Sequence, residues 1–139
     1  MTKNSFIFDT NVLISAIIDT DSSAAAALIK AREYGKLVIS KEISQEYITV
    51  FLREKFNKWV SFENRVNFIV NIITNSVFAT ITKDLSVCRD NKDNMFLTLA
   101  ASTKVNAIVS GDKDLLVLHP FNEIPILRPS DFLQFKLPF

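Results

Sequence analysis

Glycine occurs only twice in 139 residues, at Gly35 and Gly111, and proline only four times. A chain so poor in turn-formers is not a linker, a low-complexity tail or a sandwich of many short hairpins. Cysteine occurs once, at Cys88, so no internal disulfide is available and a reducing compartment suits the chain. Charge of one sign is also lacking: 16 Lys and Arg stand against 15 Asp and Glu, for a formal net charge of +1. That removes the strongly basic footprint of a dedicated DNA-binding domain, although a local basic patch can be balanced by acids elsewhere. No apolar run approaches the roughly 18 residues that cross a bilayer. Asp9 falls where a secretory signal would carry its apolar centre. The expectation is a soluble, cytoplasmic protein with no membrane contact.

What is present is apolar and aromatic. Hydrophobic residues make up 48% of the chain and Phe alone supplies 12 side chains, so most of those rings should be core. One domain spanning 1–139 is expected, large enough to bury about two-thirds of the surface its unfolded chain exposes. Five short apolar runs read as strands: Phe6–Phe8, Leu37–Ile39, Val77–Ala79 with Ile81, Ala107–Val109 and Ile126–Leu127. Helical spacing fills the intervals. Val12, Leu13, Ala16 and Ile17 follow a cap at Thr10 or Asn11, and Ala24–Tyr34 is closed by Gly35 in the C′ position. Ile43, Tyr47, Val50 and Phe51 mark a helix from Ser40 to about Phe56. Ser61 caps a fourth helix with a stripe of Phe62, Val66, Ile69, Val70 and Ile73. Met95–Thr103, Leu115–Leu118 and Ser130–Leu133 complete the set. Short strands alternating with helices predict an α/β fold, a three-layer α/β/α sandwich around a central, mostly parallel sheet of about five strands.

Several carboxylates fall at strand ends. Asp9 follows Phe8, and Asp112 follows Val109 through Ser110-Gly111. In a parallel sheet those ends share one edge, where the ligand crevice of an open α/β sheet lies, so the two acids meet if their strands are neighbours. Each also has a structural use, Asp9 in a turn and Asp112 as a helix cap, with Asp114 as a first-turn acid. If the helix after Cys88 begins near Asn91, Asp90 caps it and Asp93 is left to face the crevice. If it begins at Asn94, Asp93 is the cap; the first arrangement is preferred. Glu46 stands at the edge of a buried stripe, with Glu42 one turn earlier as its decoy.

Four segments carry a resemblance. Phe8-Asp9-Thr10-Asn11-Val12-Leu13-Ile14-Ser15-Ala16 is the first and Ser40-Lys41-Glu42-Ile43-Ser44-Gln45-Glu46-Tyr47 the second. Cys88-Arg89-Asp90-Asn91-Lys92-Asp93-Asn94-Met95-Phe96-Leu97 and Ile108-Val109-Ser110-Gly111-Asp112-Lys113-Asp114-Leu115-Leu116 follow. In this order and spacing the chain resembles the PIN-domain family, metal-dependent nucleases that include the VapC-like toxins of toxin–antitoxin pairs. The resemblance implies an acidic quartet of Asp9, Glu46, Asp93 and Asp112, with Asp114 as an extra acid and Asn11 and Ser110 as polar neighbours of the metal. Asn91 departs from the proline common there, without removing a ligand.

Four converging carboxylates repel one another, and a hard dication relieves that repulsion. Oxygen-only ligands suit Mg²⁺ or Mn²⁺ rather than Zn²⁺. On the resemblance, Asp9, Asp93 and Asp112 hold the metal and Glu46 orients water or helps hold a second ion. The implied function is a ribonuclease toxin with an RNA substrate, a cognate antitoxin and a homodimeric state. The alternative is a non-catalytic, acid-lined scaffold that binds a metal or a partner. Arg53, Lys55, Lys58 and Arg65 form the densest basic stretch, and Arg89 and Lys92 flank Asp93. Solvated faces are their ordinary use, and RNA contacts from Arg53, Lys55, Arg89 and Lys92 the functional one. Trp59 and Phe62 fall in the same stretch, where core packing is expected and base stacking is the alternative. A haloacid dehalogenase type phosphatase would need an Asp at position 11, which is Asn11. His119 is expected in a surface loop and Cys88 as a small buried hydrophobe.

Overall fold

Strand β1, Asn4–Phe8, is the axis of the molecule: Phe6, Ile7 and Phe8 are all fully buried. The structure, a computed structural model, describes residues 4–82 and 91–137, the side chains of 91–93 excepted. Around β1 lie β2 (Gly35–Ile39), β3 (Val77–Phe78), β4 (Ala107–Val109) and β5 (Ile126–Leu127), all parallel, in the order β3-β2-β1-β4-β5. The apolar triplets of β1, β2 and β4 are buried on both faces and read as unbroken apolar runs, which is why three-residue signals were enough to find them, whereas Val77 and Phe78 of the edge strand β3 are exposed.

Seven α-helices are present among the described residues: α1 (Thr10–Ile18), α2 (Ser23–Tyr34), α3 (Lys41–Phe51), α4 (Phe62–Thr74), α5 (Asn91–Thr103), α6 (Lys113–Leu116) and α7 (Pro129–Gln134). Helix α2 packs on α1 and α7, and α3 on α4 and α5, giving the expected three-layer α/β/α sandwich. Ring edges of Phe6 and Phe8 meet Phe132 at centroid separations of 5.1 and 6.1 Å, fixing α7 against β1. Lys30 reaches across from α2 and donates to the carbonyls of Phe132, in α7, and of Phe135, just past its end, both at 2.7 Å.

The serine caps stand where their side chains predict. Ser40 accepts from the Ile43 amide and Ser61 from the Asn64 amide, each at 3.1 Å. Elsewhere tertiary contacts overrule the local pattern. Helix α1 begins at Thr10 with Asp9 in the capping position, not Thr10 or Asn11. Helix α3 stops at Phe51, and Glu54–Phe56 forms a separate 3₁₀ turn. In α4 the buried residues are Arg65, Ile69 and Ile72, while Phe62 and Val70 face out, so the stripe is rotated from the one expected.

Gly35 does not close α2 in a left-handed C′ conformation. Its φ of −171° is extended and it opens β2 beside Asn4. A Cβ there would lie 2.3 Å from the Asn4 carbonyl oxygen, so glycine is demanded by the approach of two backbones rather than by a turn. Gly35→Ala is expected to cost about 2–3 kcal/mol, the scale of overpacking a closed site, in urea denaturation. Stability within 0.5 kcal/mol of the parent, about the scale of a neutral surface change, would mean that β1 and β2 can part without loss.

Candidate active site

The carboxyl end of β1 sits between β2 and β4, with Phe8 in register with Val109 and the Asp9 amide donating to the Val109 carbonyl at 2.9 Å. Asp9 and the segment 110–112 are therefore neighbours, as the strand-end argument requires. Asp9 is 6% exposed. Its Oδ2 accepts from the Ser110 hydroxyl at 2.7 Å, and the same Ser110 oxygen accepts the Asp112 amide at 3.0 Å. Ser110 thus ties two acids through one buried hydroxyl. Asp112 fills its structural role as well: Oδ1 caps α6 by accepting from the Asp114 amide at 2.9 Å.

Burial pushes the Asp9 carboxyl above the usual aspartate range, and the Asp112 charge adds to that rise. The Ser110 hydroxyl and the amides of Asn11 and Thr10 oppose it. No cation is among the influences that the described residues exert on Asp9. Ser110→Ala should therefore cost about 1–2 kcal/mol and raise the Asp9 pKa further. Urea denaturation and carboxyl NMR titration check this, and an unmoved Asp9 titration would detach Ser110 from the carboxylate.

Asp9, Asn11 and Asp112 line one open cleft of about 480 Å³, together with Ser15, Ser22 and Gly111. Glu46 does not line it. It lies half-buried on α3 beside Tyr47, whose hydroxyl feels the charges of both Glu46 and Asp9. Asp93 lies within α5, which is described from Asn91 onward, so it does not precede a helix that begins at Asn94; its side chain and that of Lys92 lie outside the described residues. So do Cys88, Arg89 and Asp90. Asp114 is half-buried in the first turn of α6. Among the described residues no three metal-ligating side chains come together, so Asp9 and Asp112 form a pair and not a full ligand set.

That pair fits a hard dication in its chemistry: two like charges share a cleft through oxygen donors alone, and one is nearly buried without a countercharge among the described residues. The surrounding basic residues divide. Arg53 and Lys55 are exposed, whereas Arg65 is fully buried and donates to backbone carbonyls, which removes it from any substrate-facing role. His119 is exposed in its loop, where Nδ1 accepts the Ile126 amide at 2.9 Å.

Two residues here were not found from sequence. Tyr47 donates its hydroxyl to the Phe8 carbonyl at 2.5 Å, pinning α3 to the backbone just ahead of Asp9. Its signal was a tyrosine in a stripe that Phe or Leu would fill as well, because a buried phenol needs a partner. Thr10 is 2% exposed and its hydroxyl has no hydrogen-bond partner among the described residues.

A PIN domain family model matches residues 5–114, a span that contains Asp9, Glu46, Asp93, Asp112 and Asp114. The uncharacterized protein MJ1680 of Methanocaldococcus jannaschii is 33% identical over 146 residues, covering 95% of this chain and 91% of that protein. PAE2754 from Pyrobaculum aerophilum superposes with a TM-score of 0.62 at 14% identity, over 94% of this chain and 88% of that one. A chain of VapBC2 from Rickettsia felis, crystallised with a DNA fragment from their promoter, gives 0.56 at 12% identity, over 88% and 96%. At those identities the two structures speak to fold alone. With most of its length matched by the family model, the chain belongs to the PIN domain family.

Proposed function

We propose that this chain is an endoribonuclease that hydrolyses RNA phosphodiester bonds with Mg²⁺ or Mn²⁺, and that it is the toxin of a type II toxin–antitoxin pair. One observation carries the reading: in a PIN-family chain, a nearly buried Asp9 carboxylate opens on a cleft that Asp112 shares. The ion, when bound, would lower the pKa of a water and offset charge on the phosphate. Asp9 and Asp112 would hold it, with Asp93 contributed from α5. Ser110 holds Asp9 Oδ2 and so fixes the carboxylate at the cleft. Glu46 would orient the attacking water from α3, and Tyr47 holds that helix in place. Asn11 is set to meet substrate at the cleft wall, and Asp114 to support Asp112.

An antitoxin partner is proposed because a neighbour in fold is a VapBC2 assembly. A homodimer and a cytoplasmic setting belong to the same reading. Among the described residues no single helix is long and apolar enough to cross a membrane. The test is direct: single-stranded and structured RNAs are incubated with purified protein and millimolar Mn²⁺ or Mg²⁺, with a chelator in parallel. Cleavage that the chelator stops is expected. No cleavage with either ion would leave the acid-lined binding scaffold as the better account of the same pair of carboxylates.

A further inference from the structure

Trp59 and Phe62 are 55% and 54% exposed, so the core packing expected for them is not what the fold does with them. An isolated exposed ring calls for no explanation. Here two stand within four residues, in a segment that runs from the end of α3 into the first turn of α4 and also holds the exposed cations Arg53, Lys55 and Lys58. We propose that this turn is a second, non-catalytic nucleic-acid site, where Trp59 and Phe62 stack bases of single-stranded RNA and Arg53, Lys55 and Lys58 meet its phosphates. The inference rests on the reading of RNA as the substrate and adds where the strand is gripped.

The segment is built to keep its shape with the rings outward. Arg65, fully buried, donates from Nε to the Val60 carbonyl at 3.2 Å and from Nη1 to the carbonyls of Phe51 and Arg53 at 2.6 and 3.0 Å. Nη2 reaches the Asn57 side-chain oxygen. The Trp59 and Val60 amides both donate to the Phe56 carbonyl at 3.1 Å. A surface aromatic on a loop already ordered loses little further freedom on binding, which favours affinity.

Charge decides between RNA and a protein partner. Lys58 Nζ stands 4.3 Å from the Trp59 ring centroid, and Lys55 Nζ 5.1 Å from that of Phe56. A protein interface centred on these rings would have to bury those ammonium groups, and interface cores are depleted in Lys. A phosphate backbone instead takes the ammonium groups while bases take the ring faces, the pairing that single-strand binders use. The acids Glu54 and Glu63 share the segment and are outnumbered by its exposed cations. Helix α3, 11 residues long, separates the turn from Ser40 at the carboxyl edge of β2. At about 1.5 Å per residue that is roughly 16 Å, so one strand lying along α3 can reach both.

Trp59 is the only tryptophan, so its emission reports the platform directly. A twelve-nucleotide oligoadenylate is titrated into Asp9→Asn protein without metal, where the strand is not cut. Quenching of Trp59 is expected, and Trp59→Ala, read by anisotropy of labelled oligoadenylate, should weaken binding roughly tenfold. Trp59→Phe should stay within about threefold of the parent if stacking is the contact. Lys58→Gln should lower the slope of log affinity against log salt by about 0.7, the loss of one phosphate contact. Absence of quenching, or Trp59→Ala binding as tightly as the parent, overturns the proposal. Emission that shifts with protein concentration rather than RNA assigns the patch to a second copy and overturns it too. Because binding is read without metal, metal-dependent cleavage by the wild type survives a failed platform, and quenching survives a failed nuclease.

Discussion

Asp9→Asn is expected to lower metal-dependent RNA cleavage by at least about a hundredfold, the scale of losing one electrostatic element of a catalytic site. The same variant, free of metal, is expected to melt higher than wild type at neutral pH. Both follow from one carboxylate: Asp9 is nearly buried, and burial and Asp112 raise its pKa above the ordinary aspartate value. A group whose pKa is higher folded than unfolded contributes stability that is fully present below its unfolded value and is lost as pH rises through its folded one. Wild-type protein should therefore lose stability across that window as Asp9 ionises, while the asparagine variant does not. The gap between the two should open with pH, and millimolar Mn²⁺ should narrow it by binding only the charged native site. Thermal melts from pH 4 to 8, with and without Mn²⁺, are the measurement. A variant that cleaves normally, or melts lower than wild type without metal at neutral pH, removes Asp9 from the role given to it.

Asp9 and Asp112 were legible because their position depends on topology that short signals fix. Unbroken apolar triplets give parallel strands, and parallel strands put like ends together. Ser40 and Ser61 were legible for a local reason, since a cap needs only the amides two or three residues ahead. What stayed hidden depends on contacts distant in sequence. Gly35 looks like a helix terminator until Asn4, 31 positions earlier, is seen against it. Arg65 reads as one more cation in a basic run, and nothing near it announces that its acceptors are the carbonyls of Phe51, Arg53 and Val60. Its burial also turns α4, which is why Phe62 and Val70 leave the stripe assigned to them. Glu46 was legible as a residue at the edge of a buried face, which is where it lies. Whether it works with the Asp9–Asp112 pair depends on an ion and a substrate, which no periodicity encodes.

Arg65→Met is expected to destabilise the protein by about 3–5 kcal/mol, more than any other single change outside the apolar core. Replacing a buried charge by a hydrophobe of similar size is often harmless when both partners of an ion pair are replaced together. That escape is closed here, because the acceptors are backbone carbonyls and remain whatever stands at position 65. The Phe51 carbonyl belongs to the last turn of α3, whose final acceptors have no partner within the helix. Arg65 supplies one, and places a cation at the negative end of that helix. Stranding these carbonyls costs more than the recovered desolvation of the guanidinium returns. Arg65→Lys should restore less than half of the loss, since one ammonium cannot serve three carbonyls and Asn57 in the fork geometry of a guanidinium. A melting temperature lower by roughly 10 °C is expected for Arg65→Met in a chain of this length. Amides of residues 53–61 should also exchange with solvent well before the core does. Unfolding within 1 kcal/mol of wild type, with those amides still protected, would show that the turn holds itself without the buried arginine.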